Sequence, residues 1–159
     1  MKGSNDQSPS GADGQAGSGP VEPAILVVSA DAGRADALAD ALEQEGAFPE
    51  TATPDAVDSA VVAATPDLVV LYYRDVVPEV VKGIAHAARA LPVVMLGGQT
   101  AQQELRLRAF PPGTAAALSD SGGDAAVAKR VAALARRVVL AGGQLPADAL
   151  PDEGRVVDV

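Results

Sequence analysis

The sequence predicts a three-layer α/β/α domain built on a five-stranded parallel sheet, and three observations carry that prediction. Short apolar runs, partly β-branched, occur at Ala24–Val28, Leu68–Tyr73 and Val93–Leu96, as expected of strands covered on both faces. They alternate with segments whose apolar residues fall at helical spacing. The connections between them are too short to hold any other element, so the crossovers are helical and right-handed.

Taken in order, Ala24–Val28 (AILVV) is the first strand, β1. Helix α1 is expected from Gly33 to Glu45, with Leu38 and Leu42 four apart beside Ala35 and Ala39, Asp36, Asp40 and Glu43 opposite, and Gly46 closing the segment. Strand β2, Phe48–Thr53, contains Pro49 and so belongs at a sheet edge. Helix α2 spans Pro54–Ala64 with Val57, Val61 and Val62, and β3, Leu68–Tyr73, is the clearest central strand. Helix α3 is expected over Pro78–Ala90, since proline is tolerated in a first turn, and Pro92 introduces β4, Val93–Leu96. Gly97-Gly98 ends that strand. Helix α4, Thr100–Phe110, carries Leu105 and Leu107 and is halted by Pro111-Pro112-Gly113. Ala115–Leu118 is a weak β5. Helix α5, Asp124–Leu140, has the strongest period, with Val127, Val131, Leu134 and Val138 on one face. The compact arrangement of such a chain is the flavodoxin-like order 2-1-3-4-5, in which ligands sit beyond the carboxyl ends of the strands.

The 159 residues suffice for one domain, expected over 24–140. Residues 1–23 are Gly, Ser, Pro, Ala and polar residues almost throughout, a flexible leader that cannot bury enough apolar surface to offset the entropy of ordering. Residues 141–159 return to that composition as a flexible acidic tail. With no cysteine and one histidine, His86, thiolate and multi-histidine metal sites are excluded. A net charge of −9 and 3% aromatic residues argue against a nucleic-acid partner, which needs cationic and stacking surfaces. No apolar run is long enough for a membrane span and no secretory leader is evident, so a cytoplasmic location is expected, without membrane association or cofactor.

The strand ends carry a resemblance. ILVVSAD at Ile25–Asp31, PDLVVLYY at Pro66–Tyr73, LPVVMLGG at Leu91–Gly98 and GTAAALSDS at Gly113–Ser121 together resemble the response-regulator receiver domain over about 24–140. The resemblance implies a magnesium-binding acidic pair after β1, a phosphoacceptor aspartate ending β3, a hydroxyl ending β4 and a lysine ending β5. This sequence departs from the family at each position. Ser29 and Ala30 stand where the acidic pair belongs, with Asp31 one position later; Tyr72 stands for the acceptor, Gly97 for the hydroxyl and Asp120 for the lysine. A neutral phenol cannot replace a carboxylate nucleophile, and a carboxylate in place of the lysine reverses the stabilising charge. The expected domain is thus a degenerate receiver, a pseudo-receiver: not an enzyme, and a phosphorylation-independent interaction module in bacterial signalling or regulation. Its alternative is a small-molecule sensor with a metabolite in the former phosphorylation pocket near Ser29, Tyr72, Gly97 and Ser119.

Individual residues have simpler readings as well. Asp31 precedes a helix and suits a cap; Asp67 belongs at the amino end of β3, away from any phosphoryl chemistry. Gly97-Gly98 reads as a tight turn, since the Asp-x-His-x-x-Gly loop of cobalamin-binding domains has no counterpart at Ser29–Arg34. Lys129, Arg130, Arg136 and Arg137 repeat seven apart on α5 and predict a basic stripe, extended by Arg106 and Arg108 of α4. Such a stripe would complement the helix carboxyl end or dock a protein partner. In receiver domains the α4–β5–α5 face commonly dimerises, so a homodimer through it is one expected use.

Overall fold

A computed structural model of the chain describes residues 22–72, 74, 84, 91–107 and 114–146, of which 102 and 104–107 are described in backbone only. Helix α3 falls outside these residues except for Ile84, which is helical and buried. Five parallel strands form one sheet in the order β2-β1-β3-β4-β5, the arrangement the alternating pattern predicts. The observed elements are β1 Ala24–Val28, α1 Ala32–Gln44, β2 Phe48–Ala52, a 3₁₀ turn Pro54–Ala56 leading into α2 Val57–Ala64, β3 Leu68–Tyr72, β4 Val93–Leu96, α4 Gly98–Leu107, β5 Ala115–Leu118 and α5 Gly123–Leu140.

Burial on both faces explains why the central strands are continuously apolar. Along β1, Ile25 and Val27 enter one cluster with Leu38 and Leu42 of α1 and Val127, Val131, Leu134 and Val138 of α5. Leu26 and Val28 enter the opposite cluster with Val57 and Val61 of α2 and Met95 of β4. Each fully buried aliphatic side chain contributes about 1.5–3 kcal/mol. Register is parallel throughout, with Val27 opposite Val70 and Tyr72 opposite Leu96. The position of β3 is pinned at its start, where the Asp67 carboxylate accepts the Ala24 N–H at 2.8 Å. Val62 of α2 is 73% exposed, because a residue adjacent to Val61 on a helix lies about 100° around it.

Helix ends follow from the glycines. After α1 the Ala47 N–H reaches the Leu42 carbonyl and the Gly46 N–H the Glu43 carbonyl, both at 3.0 Å, with Gly46 at φ 83°. This paired closure satisfies carbonyls that would otherwise face water unpaired, and it needs the left-handed backbone that glycine adopts without cost. Helix α5 closes in the same way, through Gly142 N–H to Val139 and Gly143 N–H to Val138. Of the segment expected as a tail, residues 141–146 are described, and Leu145 is only 7% exposed within the α1–α5 cluster. The packed body therefore reaches past Leu140. Helix α4 begins at Gly98, two residues ahead of the expected start, since the Ala101 N–H bonds back to the Gly97 carbonyl and draws the second glycine into the first turn.

Candidate functional site

The carboxyl edge of the sheet gathers Ser29–Asp31, Tyr72, Arg74, Gly97 and Ser119–Asp124. Ser29 is buried at 1% exposure. Its N–H donates to Ala52 of β2 at 3.1 Å, and its Oγ accepts the Asp31 N–H at 3.0 Å. Ala30 is exposed. Asp31 caps α1: its Oδ1 accepts the Arg34 N–H at 3.1 Å. The Arg34 and Asp31 side chains stand 4.0 Å apart and well exposed, so their Coulomb term is small beside the cap.

Tyr72 ends β3 half-buried, packed against the α1–α5 cluster. The Arg34 guanidinium carbon stands 5.0 Å from its ring centroid, within cation–π range. A cation from the first turn of α1 thus covers the phenol at the strand end. Arg34 is the residue of this edge that position matching to a family misses. Its signal is nonetheless present, because a cation in a helix's first turn opposes the macrodipole and so calls for some other partner.

Arg34, Tyr72, Arg74, Asp120 and Asp124 line one cavity of about 340 Å³, floored by Leu96 and Val127. Two guanidinium groups, two carboxylates and one phenol therefore share a single opening. Of the expected pocket residues, the structure brings Tyr72 and Asp120 together here. Ser29 opens instead onto a separate cavity of about 480 Å³ over the ends of β1 and β2. Gly97 lies in the turn into α4, at φ 142° with its N–H bonded to the Leu118 carbonyl at 3.0 Å. Ser119 is occupied within its own loop, its Oγ 2.7 Å from that of Ser121. Among the described residues no group of three His, Cys, Asp or Glu side chains is placed to hold a metal ion.

The cations of α5 have separate destinations. Arg130 Nη1 donates to the Ser119 carbonyl at 3.0 Å and the Ser121 carbonyl at 2.8 Å, holding the loop that carries Asp120. Lys129 Nζ is 3.6 Å from the Glu45 carboxylate, and Arg136 donates to the Glu45 carbonyl; both tie α5 to the end of α1. Arg137 is exposed on the following face. Arg106 lies within α4, where the backbone alone is described, and Arg108 lies outside the described residues.

Sheet order, helix placement and the position of this edge define a receiver-like α/β domain. Among solved structures, the chain is similar to the N-terminal domain of a response regulator/sensory box/GGDEF protein from Carboxydothermus hydrogenoformans, at 23% identity and a TM-score of 0.56 over 75% of this chain and 98% of that one. It is likewise similar to the signal receiver domain of a Luxo repressor protein from Vibrio parahaemolyticus, at 15% identity and 0.58, covering 77% and 96%. NtrX from Brucella abortus matches at 24% identity and 0.61, covering 77% of this chain and 29% of that one. At these identities the likeness is one of fold. No family model matches the chain, and no curated protein matches it.

Proposed function

We propose that this domain is a pseudo-receiver: a non-catalytic, phosphorylation-independent protein-interaction module of bacterial signalling or regulation, working in the cytoplasm. The observation that carries the reading is Tyr72. It stands at the carboxyl end of β3 with Arg34 over its ring, where a receiver presents a carboxylate to a phosphoryl donor. In-line transfer needs a nucleophile, a metal to neutralise the phosphoryl oxygens and a cation opposite. Tyr72 and the Ser29-Ala30 pair leave the nucleophile and metal roles unfilled, and Asp120 puts a carboxylate at the end of β5, where a receiver has its cation. No helix among the described residues is long and apolar enough to cross a membrane.

The partner is a protein, or a second copy through the α4–β5–α5 face. On that face Arg137 is the cation to test, because it is exposed, whereas Arg130 holds the Ser119–Ser121 loop and its loss would disturb the fold as well. Incubation of the full chain with acetyl phosphate and Mg²⁺, read by intact mass, tests the central claim. No added phosphoryl group is expected, and sedimentation before and after treatment should coincide. A phosphorylated species, or an association state that follows the donor, overturns the reading.

The cavity of about 340 Å³ under Arg34 and Arg74 favours one second reading, a sensor whose ligand occupies it. A thermal-shift series with nucleotides and corrinoids discriminates. Ligand that stabilises the chain in a concentration-dependent way supports the sensor, and a flat series removes it.

A further inference from the structure

Strand β2 is one edge of the sheet, and among the described residues no strand lies beyond it. Its Phe48 N–H donates to the Pro23 carbonyl at 2.9 Å, and its Ala52 carbonyl accepts the Ser29 N–H at 3.1 Å. Alternate residues of a strand address the same neighbour, so Phe48, Glu50 and Ala52 bond to β1 while Pro49 and Thr51 turn their backbone groups outward. The outer side therefore offers the Thr51 N–H and the carbonyls of Pro49 and Thr51. Pro49 has no N–H to give, which shortens the edge but leaves three groups that an added strand can bond.

The side chains along this edge choose its occupant. Phe48, Glu50 and Ala52 share one face of the strand; Ala52 packs into the α2 cluster, whereas Phe48 is 63% exposed and Glu50 lies in solvent beside it. Aromatic side chains are enriched where surfaces are covered on binding, and this one stands next to unpaired backbone. The other face carries α1. Its one cation, Arg34, points to Tyr72 of β3, so Glu43 and Asp36, about 180° and 200° around the helix from it, lie on the β2 side. Asp36, Glu43 and Glu50 are exposed and hold no hydrogen bond or ion pair among the described residues. Carboxylates without a counter-charge on both faces of an open strand attract a cationic segment and repel an acidic one, such as the same edge of a second copy.

We propose that the outer edge of β2 docks an extended cationic segment of a partner protein as a sixth strand, with an apolar side chain against Phe48, a lysine or arginine against Glu50 and another near Asp36 and Glu43. Backbone hydrogen bonds to Pro49 and Thr51 give the affinity, and the carboxylates give the selectivity. The site goes beyond the interaction face proposed above and stands or falls apart from it, since no residue of the α4–β5–α5 face takes part.

The probe is an end-blocked peptide of alternating lysine and valine, about six residues long, titrated into the isotope-labelled full chain and followed by amide chemical shifts. Saturable shifts are expected at Phe48–Thr53, with a dissociation constant of about 0.1–1 mM that rises with added salt. The peptide of alternating glutamate and valine should bind at least about tenfold weaker. Thr51→Pro removes the outward N–H without touching a bond to β1 and should weaken the lysine peptide about fivefold; if that variant loses its dispersed spectrum, Phe48→Ser, at an exposed position, should weaken it about threefold instead. Glu50→Lys should weaken it about tenfold, whereas Arg137→Glu, on the other face, should leave it within about twofold. Shifts that centre on α5 or Tyr72, equal affinity for the glutamate peptide, or affinity unchanged by the substitutions in β2 overturn the proposal.

Discussion

The loop that carries Asp120 turns into α5 through two consecutive glycines, and they differ in a way that can be measured. Gly122 and Gly123 have φ of 91° and 86°, so any L-residue at either incurs about 1–2 kcal/mol of backbone strain. Alanine also stiffens the unfolded chain, which returns about 0.4–1 kcal/mol. At Gly123 nothing lies within 4 Å of an added Cβ, so Gly123→Ala should cost only the net backbone term, about 1 kcal/mol. At Gly122 the new Cβ would stand 2.9 Å from the Ala126 Cβ, well inside the ordinary carbon contact of about 3.5–4.0 Å. Overpacking of that kind adds about 1–3 kcal/mol, which brings Gly122→Ala to about 2–4 kcal/mol. Urea unfolding of the full chain measures both. The double variant Gly122→Ala/Ala126→Gly removes the clash while placing glycine in the helix at about 1 kcal/mol, so the cycle should show coupling of at least about 1 kcal/mol. If Gly123→Ala is as damaging as Gly122→Ala, or the cycle is additive, the close approach at the start of α5 does not exist and the loop geometry drawn from it is wrong.

Three further outcomes follow from other contacts. Leu145→Ala should lower stability by about 2 kcal/mol, the small end of the range for a buried leucine because the site lies at the edge of its cluster and can relax; an unchanged urea midpoint would show that residues beyond α5 do not pack. Asp67→Ala should cost about 1–2 kcal/mol by leaving the Ala24 N–H without an acceptor, whereas Asp67→Asn keeps a carbonyl oxygen there and should cost less; equal losses would refute the strand-start role. Arg130→Ala should speed hydrogen exchange at the β5–α5 loop, including the Ser121 N–H held by Ser119 Oγ at 3.2 Å, more than at the strands. Exchange raised uniformly would mean that Arg130 supports the fold globally rather than this loop.

What was legible in the sequence is what burial dictates. Strands β1, β4 and β5 begin and end where their apolar runs do, because two covered faces tolerate no polar residue within the run. Gly46 and the Gly142-Gly143 pair mark helix ends because only a left-handed residue closes them as observed. Leu145 was not legible: one leucine among Gly, Gln, Pro and Ala carries no period, and its burial comes from a chain reversal that no local pattern encodes. The edge residues divide in the same way. The cap of Asp31 and the placement of Asp67 follow from position relative to an element. The meeting of Arg34 with Tyr72 depends on the angle between α1 and the sheet, and only the assembled layers supply it.

The basic residues of α5 show why a helical stripe is not yet a surface. Positions seven apart lie on one side, so Lys129 pairs with Arg136 and Arg130 with Arg137, but the two pairs are offset by about 100° around the axis. The first pair faces the end of α1, where Glu45 offers both a carboxylate and a carbonyl. Arg130, near the amino end of the helix, reaches back to two loop carbonyls, where a planar fork can satisfy both at once. Long cationic side chains fold onto the nearest unpaired acceptors before they reach for a partner, since carbonyls at helix and strand ends are otherwise unsatisfied. Arg34 over Tyr72 and Arg130 over Ser119 and Ser121 therefore hold, from two different helices, the end of β3 and the β5–α5 loop, both of which line the charged cavity. A ligand or partner entering there meets a β5–α5 loop already held in place, so binding should proceed with little rearrangement of that loop, and amide shifts along α5 beyond the cavity should stay small on titration.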